Sequence, residues 1–185
     1  GCKQGVKMSV IAQAGAKGRQ LHKFGGSSLA DVKCYLRVAG IMAEYSQPDD
    51  MMVVSAAGST TNQLINWLKL SQTDRLSAHQ VQQTLRRYQC DLISGLLPAE
   101  EADSLISAFV SDLERLAALL DSGINDAVYA EVVGHGEVWS ARLMSAVLNQ
   151  QGLPAAWLDA REFLRAERAA QPQVDEGLSY PLLQQ

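Results

Sequence analysis

The sequence lacks the marks of several common protein classes. Its three cysteines, Cys2, Cys34 and Cys90, form no C-x-x-C pair or Cys/His cluster, so neither a zinc site nor a disulfide framework is indicated. No apolar run of about 18 residues occurs, and the first residues lack the apolar core of a secretory signal. The formal net charge of -4 argues against a non-specific nucleic-acid binder, which needs a basic face. We therefore expect a cytoplasmic protein that binds neither nucleic acid nor a membrane.

The length and composition predict one core. With 185 residues and 47% hydrophobic residues, the chain is long enough to bury one substantial core and too short for two large ones. We assign residues 21–185 to this domain. Residues 1–20 are interpreted as a leader and flexible N-terminus, in which Met8 is a plausible native start and the residues before it are a vector remnant.

Two strand–turn–helix units open the domain. "RQLHKF" predicts a strand that runs through Gly25 and Gly26 into a helix starting after Asp31, a suitable N-cap residue. "MMVVSAAG" predicts a buried strand, followed by a helix over "STTNQLINWLKL". Two such units in succession favour an α/β fold with a parallel sheet.

The rest of the sequence is mainly helical. A Ser77–Gln80 capping box and Pro98 open two long amphipathic stretches, which predict an antiparallel helical hairpin. A further helical pattern is interrupted by Gly134 and Gly136 and is closed by Gly152. "PAAWLD" then predicts a third strand, and residues 160–168 a short helix.

The first strand ends in a candidate anion site. Gly25 and Gly26 allow a close backbone approach to a ligand, and Ser27 adds a hydroxyl to the main-chain amides of the turn. Lys23 would bring a positive charge to the same oxygens. A structural interpretation stays open, because Gly-Gly turns between a strand and a helix are common and a lysine at a strand end is often solvated.

The second strand ends in a similar turn. Ser55 and Thr61, within "VVSAAGSTTN", could hold a carboxylate or a phosphate together with the amides at the start of a helix. Simple N-capping by Ser59 or Thr61 is the alternative. Both turns follow the carboxyl ends of predicted parallel strands, where open α/β sheets bind their ligands, and this shared position favours the functional interpretation.

A third candidate is Glu137, in "GHGEVWS". A carboxylate in a mainly apolar helix must face solvent or find a cation. A substrate ammonium would satisfy it, and Arg142 could do so only in part. We interpret His135 as a surface or packing residue rather than as a base.

Three motifs in this order, "KFGGSS", "VVSAAGSTTN" and "GHGEVWSARL", resemble those of the aspartokinases within the amino-acid kinase family. The resemblance covers about residues 21–180. Within the group, the sequence is most similar to the polypeptides of enteric bacteria that join an aspartokinase to a homoserine dehydrogenase. Kinases for glutamate or acetylglutamate are alternatives, but the Ser-Thr-Thr-Asn turn and the Gly-His-Gly-Glu helix favour aspartate.

The resemblance implies a function and a set of roles. ATP would phosphorylate the β-carboxylate of L-aspartate, with ATP and magnesium as cofactors of a parent enzyme that is a homo-oligomer. Lys23 would contact the transferring phosphoryl group as the catalytic residue, above a turn formed by Gly25, Gly26 and Ser27. Ser55, Thr61 and Glu137 would hold aspartate, Glu137 through its α-ammonium.

The resemblance also implies a limit. Related kinases continue into a half that binds the nucleotide and magnesium, so we expect an amino-acid kinase-like domain truncated at its C-terminal side. The chain by itself is then expected to be inactive and to hold no metal or cofactor. The alternative is a non-catalytic folding or interaction module.

Overall fold

The computed structural model describes residues 9–12 and 20–159. The chain divides into two compact units, Gly1–Ala155 and Ala156–Gln185, and all of the described helices and strands belong to the first. In chain order these elements are strand β1 (Ser9–Ala12), strand β2 (Gln20–Phe24), a short 3-10 helix (Gly26–Leu29), helix α1 (Val32–Tyr45), strand β3 (Met51–Val54), and helices α2 (Thr60–Thr73), α3 (Arg75–Leu96), α4 (Ala99–Asp121) and α5 (Asp126–Gln150).

The described strands form one sheet in the order β1-β2-β3. β2 and β3 are parallel, with Lys23 opposite Val53, so the two predicted strand–turn–helix units are confirmed. β1 is antiparallel to β2 and places Ser9 opposite Lys23. This strand was not predicted from the sequence, because residues 9–12 lie in the segment interpreted as a leader and flexible N-terminus.

The predicted third strand at "PAAWLD" is wrong, because residues 153–159 have no regular secondary structure. Side chains of α5 occupy the backbone groups that a strand would need. The amide of Ala155 donates to Asn149 Oδ1 (2.9 Å), and its carbonyl accepts from Asn149 Nδ2 (2.8 Å) and Ser145 Oγ (3.2 Å). The short helix predicted for residues 160–168 lies outside the described residues.

The core lies on one face of the sheet. His22 and Phe24 are 0% and 2% exposed, whereas Met51 and Val53 of β3 are 49% and 45% exposed. Since alternate residues of a strand point to opposite faces, the buried side chains mark the face that is covered by helices. α1 contributes Tyr35 to the same hydrophobic cluster.

The helical hairpin is confirmed by α3 and α4. Only Leu97 and Pro98 separate the two helices, and a connection this short joins antiparallel neighbours. The predicted start of α3 is wrong. Asp74, not Ser77, is its N-cap residue, because the Asp74 carboxylate accepts from the amide (3.1 Å) and the hydroxyl (2.6 Å) of Ser77.

The predicted interruption at Gly134 and Gly136 is wrong, because α5 is one continuous helix from Asp126 to Gln150. The helix ends where expected. Gly152 has a φ of +83°, and the amide of Leu153 donates to the carbonyl of Leu148 (2.9 Å), which is a glycine-terminated helix end. One expectation about the cysteines is wrong, because Cys34 takes part in a disulfide bond. Cys90 is a free thiol.

Candidate functional site

The turns that follow β2 and β3 lie side by side and are joined through their backbones. The amide of Ser55 donates to the carbonyl of Phe24 (3.0 Å), and the amide of Gly58 donates to the carbonyl of Gly26 (3.1 Å). We call residues 25–29 the first turn and residues 55–59 the second turn. Their expected position beside each other at the carboxyl edge of the parallel strands is therefore confirmed.

The glycines of the first turn have different surroundings. A Cβ added at Gly26 would lie 3.1 Å from the carbonyl oxygens of Ala56 and Gly58, whereas one added at Gly25 would have no neighbour within 4 Å among the described residues. Gly26 is thus required by its contact with the second turn. Gly25 and Ser27 are exposed, so these two residues are accessible to a ligand.

Lys23 is one residue from the end of β2 and has an unusual environment. Its ammonium nitrogen is buried from solvent and has no hydrogen-bond partner among residues 9–12 and 20–159. Burial of a cation without a partner is costly, and an anion that binds beside it removes much of this cost. The strand alternation places the Lys23 side chain on the sheet face opposite to Phe24.

The second turn leads into α2. Ser55 is half-buried directly after β3, and Thr61 is exposed as the second residue of α2. Ser59 is the N-cap residue but makes no side-chain capping bond, so simple capping finds no support at Ser59. Thr60, between Ser59 and Thr61, is fully buried.

Helix α5 packs against the second turn at the residue before Glu137. A Cβ added at Gly136 would lie 2.8 Å from the Cβ of Ala56 and 3.3 Å from Cγ2 of Thr60. Glu137 itself is exposed. The backbone of Glu137 therefore lies next to the wall formed by Ala56 and Thr60.

The other candidates of α5 have structural partners on α4. Arg142 Nη1 donates to Asp112 Oδ2 (3.1 Å). His135 is 3% exposed, with one ring nitrogen 2.7 Å from the carbonyl of Glu131 and the other 2.7 Å from Arg115 Nη2. Because Arg115 can only donate, His135 accepts at Nε2 and donates from Nδ1. His135 is therefore a packing residue.

The structure brings together the first turn, the second turn and the glycine that precedes Glu137. It does not join Lys23 to Glu137, because within the described ranges no hydrogen bond or ion pair involves the Lys23 ammonium. Residues 9–12 and 20–159 contain no group of three or more His, Cys, Asp or Glu residues that could hold a metal ion. None of their helices is long and apolar enough to cross a bilayer.

Two residues that bond to the segments directly after the turns were not predicted from the sequence. Tyr88 Oη donates to the carbonyl of Ala30 (2.7 Å), and Gln89 Nε2 donates to Oγ1 of Thr60 (2.9 Å). Gln89 could have been noticed, because it follows the buried Leu85 by four residues and so lies on the apolar face of α3. A polar side chain on such a face needs a buried partner.

Residues 18–184 match the amino acid kinase family. The chain belongs to this family. A bifunctional aspartokinase/homoserine dehydrogenase 2 of Zea mays is 30% identical over 161 residues, which are 84% of this chain and 17% of the relative. The lysine-sensitive aspartokinase 3 of Escherichia coli is 26% identical over 144 residues, 77% of this chain and 31% of that protein. The chain thus spans less than a third of these relatives.

A solved structure agrees with the family assignment at the level of the fold. A crystal structure of E. coli aspartokinase III in complex with aspartate and ADP superposes with a TM-score of 0.65 at 24% identity, over 74% of this chain and 30% of that chain. At this identity the likeness concerns the fold. The amino-acid kinase-like α/β fold predicted from the sequence is thereby confirmed for this part of the domain.

Proposed function

We propose that this chain is the aspartate-binding part of an aspartate kinase, which transfers the γ-phosphoryl group of ATP to the β-carboxylate of L-aspartate. The observation that carries the proposal is the Lys23 ammonium, which lies near the end of the strand that leads into the first turn and is buried without a hydrogen-bond partner in the part of the chain that the structure describes. An anion is the ligand that would satisfy it. The names of the relatives support an aspartokinase, and a structural neighbour was solved with aspartate and ADP.

In this proposal the first turn handles phosphate. Lys23 contacts the transferring phosphoryl group, while Gly25, Gly26 and Ser27 shape the turn beneath it. Phosphoryl transfer requires little covalent chemistry from the protein and depends on positioning and on neutralising charge. A buried ammonium serves both purposes, because salt screens its charge much less than it screens the charge of a solvated ammonium.

The second turn and α5 hold the acceptor. Ser55 and Thr61 bind the carboxylates of aspartate, and Glu137 pairs with its α-ammonium. No general base is needed, since an aspartate carboxylate has a pKa of about 4 and is ionised at neutral pH. The joined backbones of the two turns would keep this nucleophile at a fixed distance from the phosphoryl group, which is the main requirement for a reaction within a bound pair.

ATP and magnesium belong to the proposed reaction of the complete protein. Magnesium bound to the nucleotide supplies further neutralisation of phosphate charge, and we assign none of the described residues to it. Because the chain spans 17% and 31% of two relatives, we propose that the 185 residues alone bind aspartate weakly, bind ATP negligibly and turn over no substrate. We further propose that the parent is a cytoplasmic homo-oligomer that also carries a homoserine dehydrogenase, as in the enteric-bacterial enzymes of methionine and threonine synthesis.

A second candidate function is that of a non-catalytic folding or interaction module. It is favoured by Met51 and Val53, whose apolar side chains are about half exposed on one face of β3. Contiguous apolar surface of this kind often serves association. Such a module would bind neither aspartate nor ATP with any preference over other small anions.

Calorimetric titrations of the chain distinguish the two candidates. We expect weak binding of L-aspartate and none of D-aspartate or succinate, because only the L-isomer presents its ammonium to Glu137 and its carboxylates to the second turn. Heats that do not differ among these three ligands would favour the interaction module. Tight ATP binding by the chain would contradict the assignment of the nucleotide site to the rest of the protein.

The role of Lys23 is tested in the complete protein. Lys23→Met should reduce turnover by about 100-fold or more, because it removes a charge that stabilises the transferring phosphoryl group. Lys69→Met is the matched control, since Lys69 is exposed on α2, and should leave turnover within about twofold of the unchanged protein. Unchanged turnover in Lys23→Met would remove Lys23 from the mechanism.

A further inference from the structure

Through two consecutive residues, helix α3 contacts the residues that directly follow the two turns of the candidate site. Tyr88 donates its hydroxyl to the carbonyl of Ala30 (2.7 Å), directly after the first turn, and Gln89 donates its side-chain amide to Oγ1 of Thr60 (2.9 Å), directly after the second turn. Consecutive residues of a helix point about 100° apart. One turn of α3 can therefore hold two different segments at once.

The Tyr88 hydroxyl lies at the point where the two turns are joined. A Cβ added at Gly58 would be 2.7 Å from Tyr88 Oη and 3.6 Å from the Cα of Ala30, and the amide of Gly58 donates to Gly26 (3.1 Å). Burial raises the pKa of Tyr88, and the nearby Asp31 carboxylate raises it further. The phenol therefore stays protonated at neutral pH and can keep donating to Ala30.

Gln89 fixes a different segment, the start of α2. Thr60 is 0% and Gln89 3% exposed, so this hydrogen bond is shielded from water. Thr60 precedes Thr61, the proposed aspartate ligand, and its methyl group is close to Gly136 of α5. The bond thus fixes the first residue of α2 between α3 and α5.

A purely structural role would not require the Gln89–Thr60 pair, because two apolar side chains of similar shape could replace both partners. Leu85 and Leu92 on the buried side of α3 are 0% and 3% exposed, and a further leucine at position 89 would continue this apolar face. A buried hydrogen bond adds little net stability over an apolar contact of the same shape, but it fixes the position of its partners.

We propose that Tyr88 and Gln89 are positioning residues for the kinase reaction: they set the distance between the turn that handles phosphate and the turn that binds aspartate, and they contact neither ligand. This inference rests on the proposed function. Tyr88 holds the joint between the turns, and Gln89 holds the start of α2.

The test uses Tyr88→Phe and Gln89→Leu in the complete protein. Tyr88→Phe should lower kcat by about tenfold and change KM for aspartate less than about threefold, because the ligands still bind but are misaligned for transfer. Gln89→Leu should raise KM for aspartate by about fivefold or more, because Thr60 no longer fixes Thr61. The matched controls are Tyr129→Phe and Gln83→Leu, which replace exposed residues of α5 and α3 and should leave both constants unchanged.

A second measurement follows the joint itself and needs no activity. Hydrogen exchange of the Gly58 amide, observed by NMR, should be about tenfold faster in Tyr88→Phe than in Tyr129→Phe, because opening the joint frees that amide. An unchanged exchange rate would overturn the role of Tyr88. Faster exchange with unchanged kcat and KM would make Tyr88 a structural residue only, and would also overturn the inference.

The outcomes separate this inference from the proposed function. If the unchanged protein does not phosphorylate aspartate, the proposed function fails, and with it the catalytic part of the inference; faster Gly58 exchange in Tyr88→Phe would then still show that Tyr88 holds the turns. If the unchanged protein is active and Gln89→Leu lowers only its melting temperature, the positioning role of Gln89 is overturned. A kinetic change in Gln89→Leu that Gln83→Leu does not share supports it.

Discussion

Replacing Gly136 with alanine tests how closely α5 packs against the second turn. In an open helical position this change removes backbone freedom from the unfolded chain and stabilises the protein by about 0.5–1 kcal/mol. At Gly136 the new methyl group would lie 2.8 Å from the Cβ of Ala56 and 3.3 Å from Cγ2 of Thr60. Carbon atoms pack at about 3.5–4.0 Å, so α5 must move away from the turn by roughly 1 Å.

The two effects of Gly136→Ala on the free energy of unfolding oppose each other, and the destabilising close contact should be the larger. Forcing extra volume into a packed site costs about 1–3 kcal/mol, which exceeds the helix gain. We expect Gly136→Ala to lower the free energy of unfolding by about 1 kcal/mol. Gly40→Ala in α1 is the matched control, because a Cβ there would have no neighbour within 4 Å in the described part of the chain. It should raise the free energy of unfolding by about 0.5–1 kcal/mol.

Urea denaturation of the three proteins measures both values under identical conditions. The two variants should differ by about 1.5–2 kcal/mol, or about 3–8 °C in melting temperature for a domain of this size. Because Gly136 precedes Glu137, the Gly136→Ala variant should also bind L-aspartate more weakly, whereas Gly40→Ala should bind it normally. If Gly136→Ala is as stable as Gly40→Ala, the close packing of α5 on the second turn is refuted.

The remaining predictions concern polar contacts that hold the fold. Hydrogen bonds from the Gln47 amide and from His22 lower the pKa of Asp50. A lowered pKa stabilises the folded protein above the unfolded-state pKa of about 3.9, and this stabilisation is lost as pH falls below that value. Asp50→Asn should therefore flatten the acid side of a stability–pH curve, and an unaltered curve would contradict this. Asn125→Ala removes the side chain that accepts from the first turn of α5 and should lower the free energy of unfolding by about 1 kcal/mol in urea denaturation; no change would exclude the cap. The Tyr35 hydroxyl is 2.8 Å from the buried hydroxyl of Ser140, so Tyr35→Phe leaves the Ser140 hydroxyl without this partner and should lower the free energy of unfolding by about 1–3 kcal/mol. Adding Ser140→Ala should recover most of that loss. A double variant no more stable than Tyr35→Phe alone would refute the pairing.

The strand–turn–helix units were predictable from the sequence because their signals are local. Apolar runs, glycines and an N-cap such as Asp31, whose carboxylate accepts from the amide of Cys34 at 2.9 Å, act within a few residues. The position of the two turns beside each other followed from a general property of parallel sheets. The strand predicted at "PAAWLD" does not form, because the amide and the carbonyl of Ala155 bond to the side chain of Asn149, which no strand pattern takes into account.

The contacts of α3 with the site could not be predicted in the same way. Tyr88 is 58 residues from Ala30 along the chain, and helical periodicity places a residue on a face without identifying what covers that face. Gln89 on an apolar face indicated that a buried polar partner exists, but not that it is Thr60. Roles in the site for Lys23 and Glu137 came from their resemblance to family motifs, and they stay predictions.

The glycines of the site are required for two different physical reasons. Gly58 has a φ of +50°, a backbone conformation that other residues adopt with strain. Gly26 and Gly136 have no such requirement and are needed because neighbouring backbone and side-chain atoms fill the space of a Cβ. A sequence motif shows all three only as the letter G. Since two of them depend on close approach between segments, the spacing of the turns and α5 is a property of the assembled fold, and a substitution at either glycine should alter ligand geometry even where the local backbone accepts it.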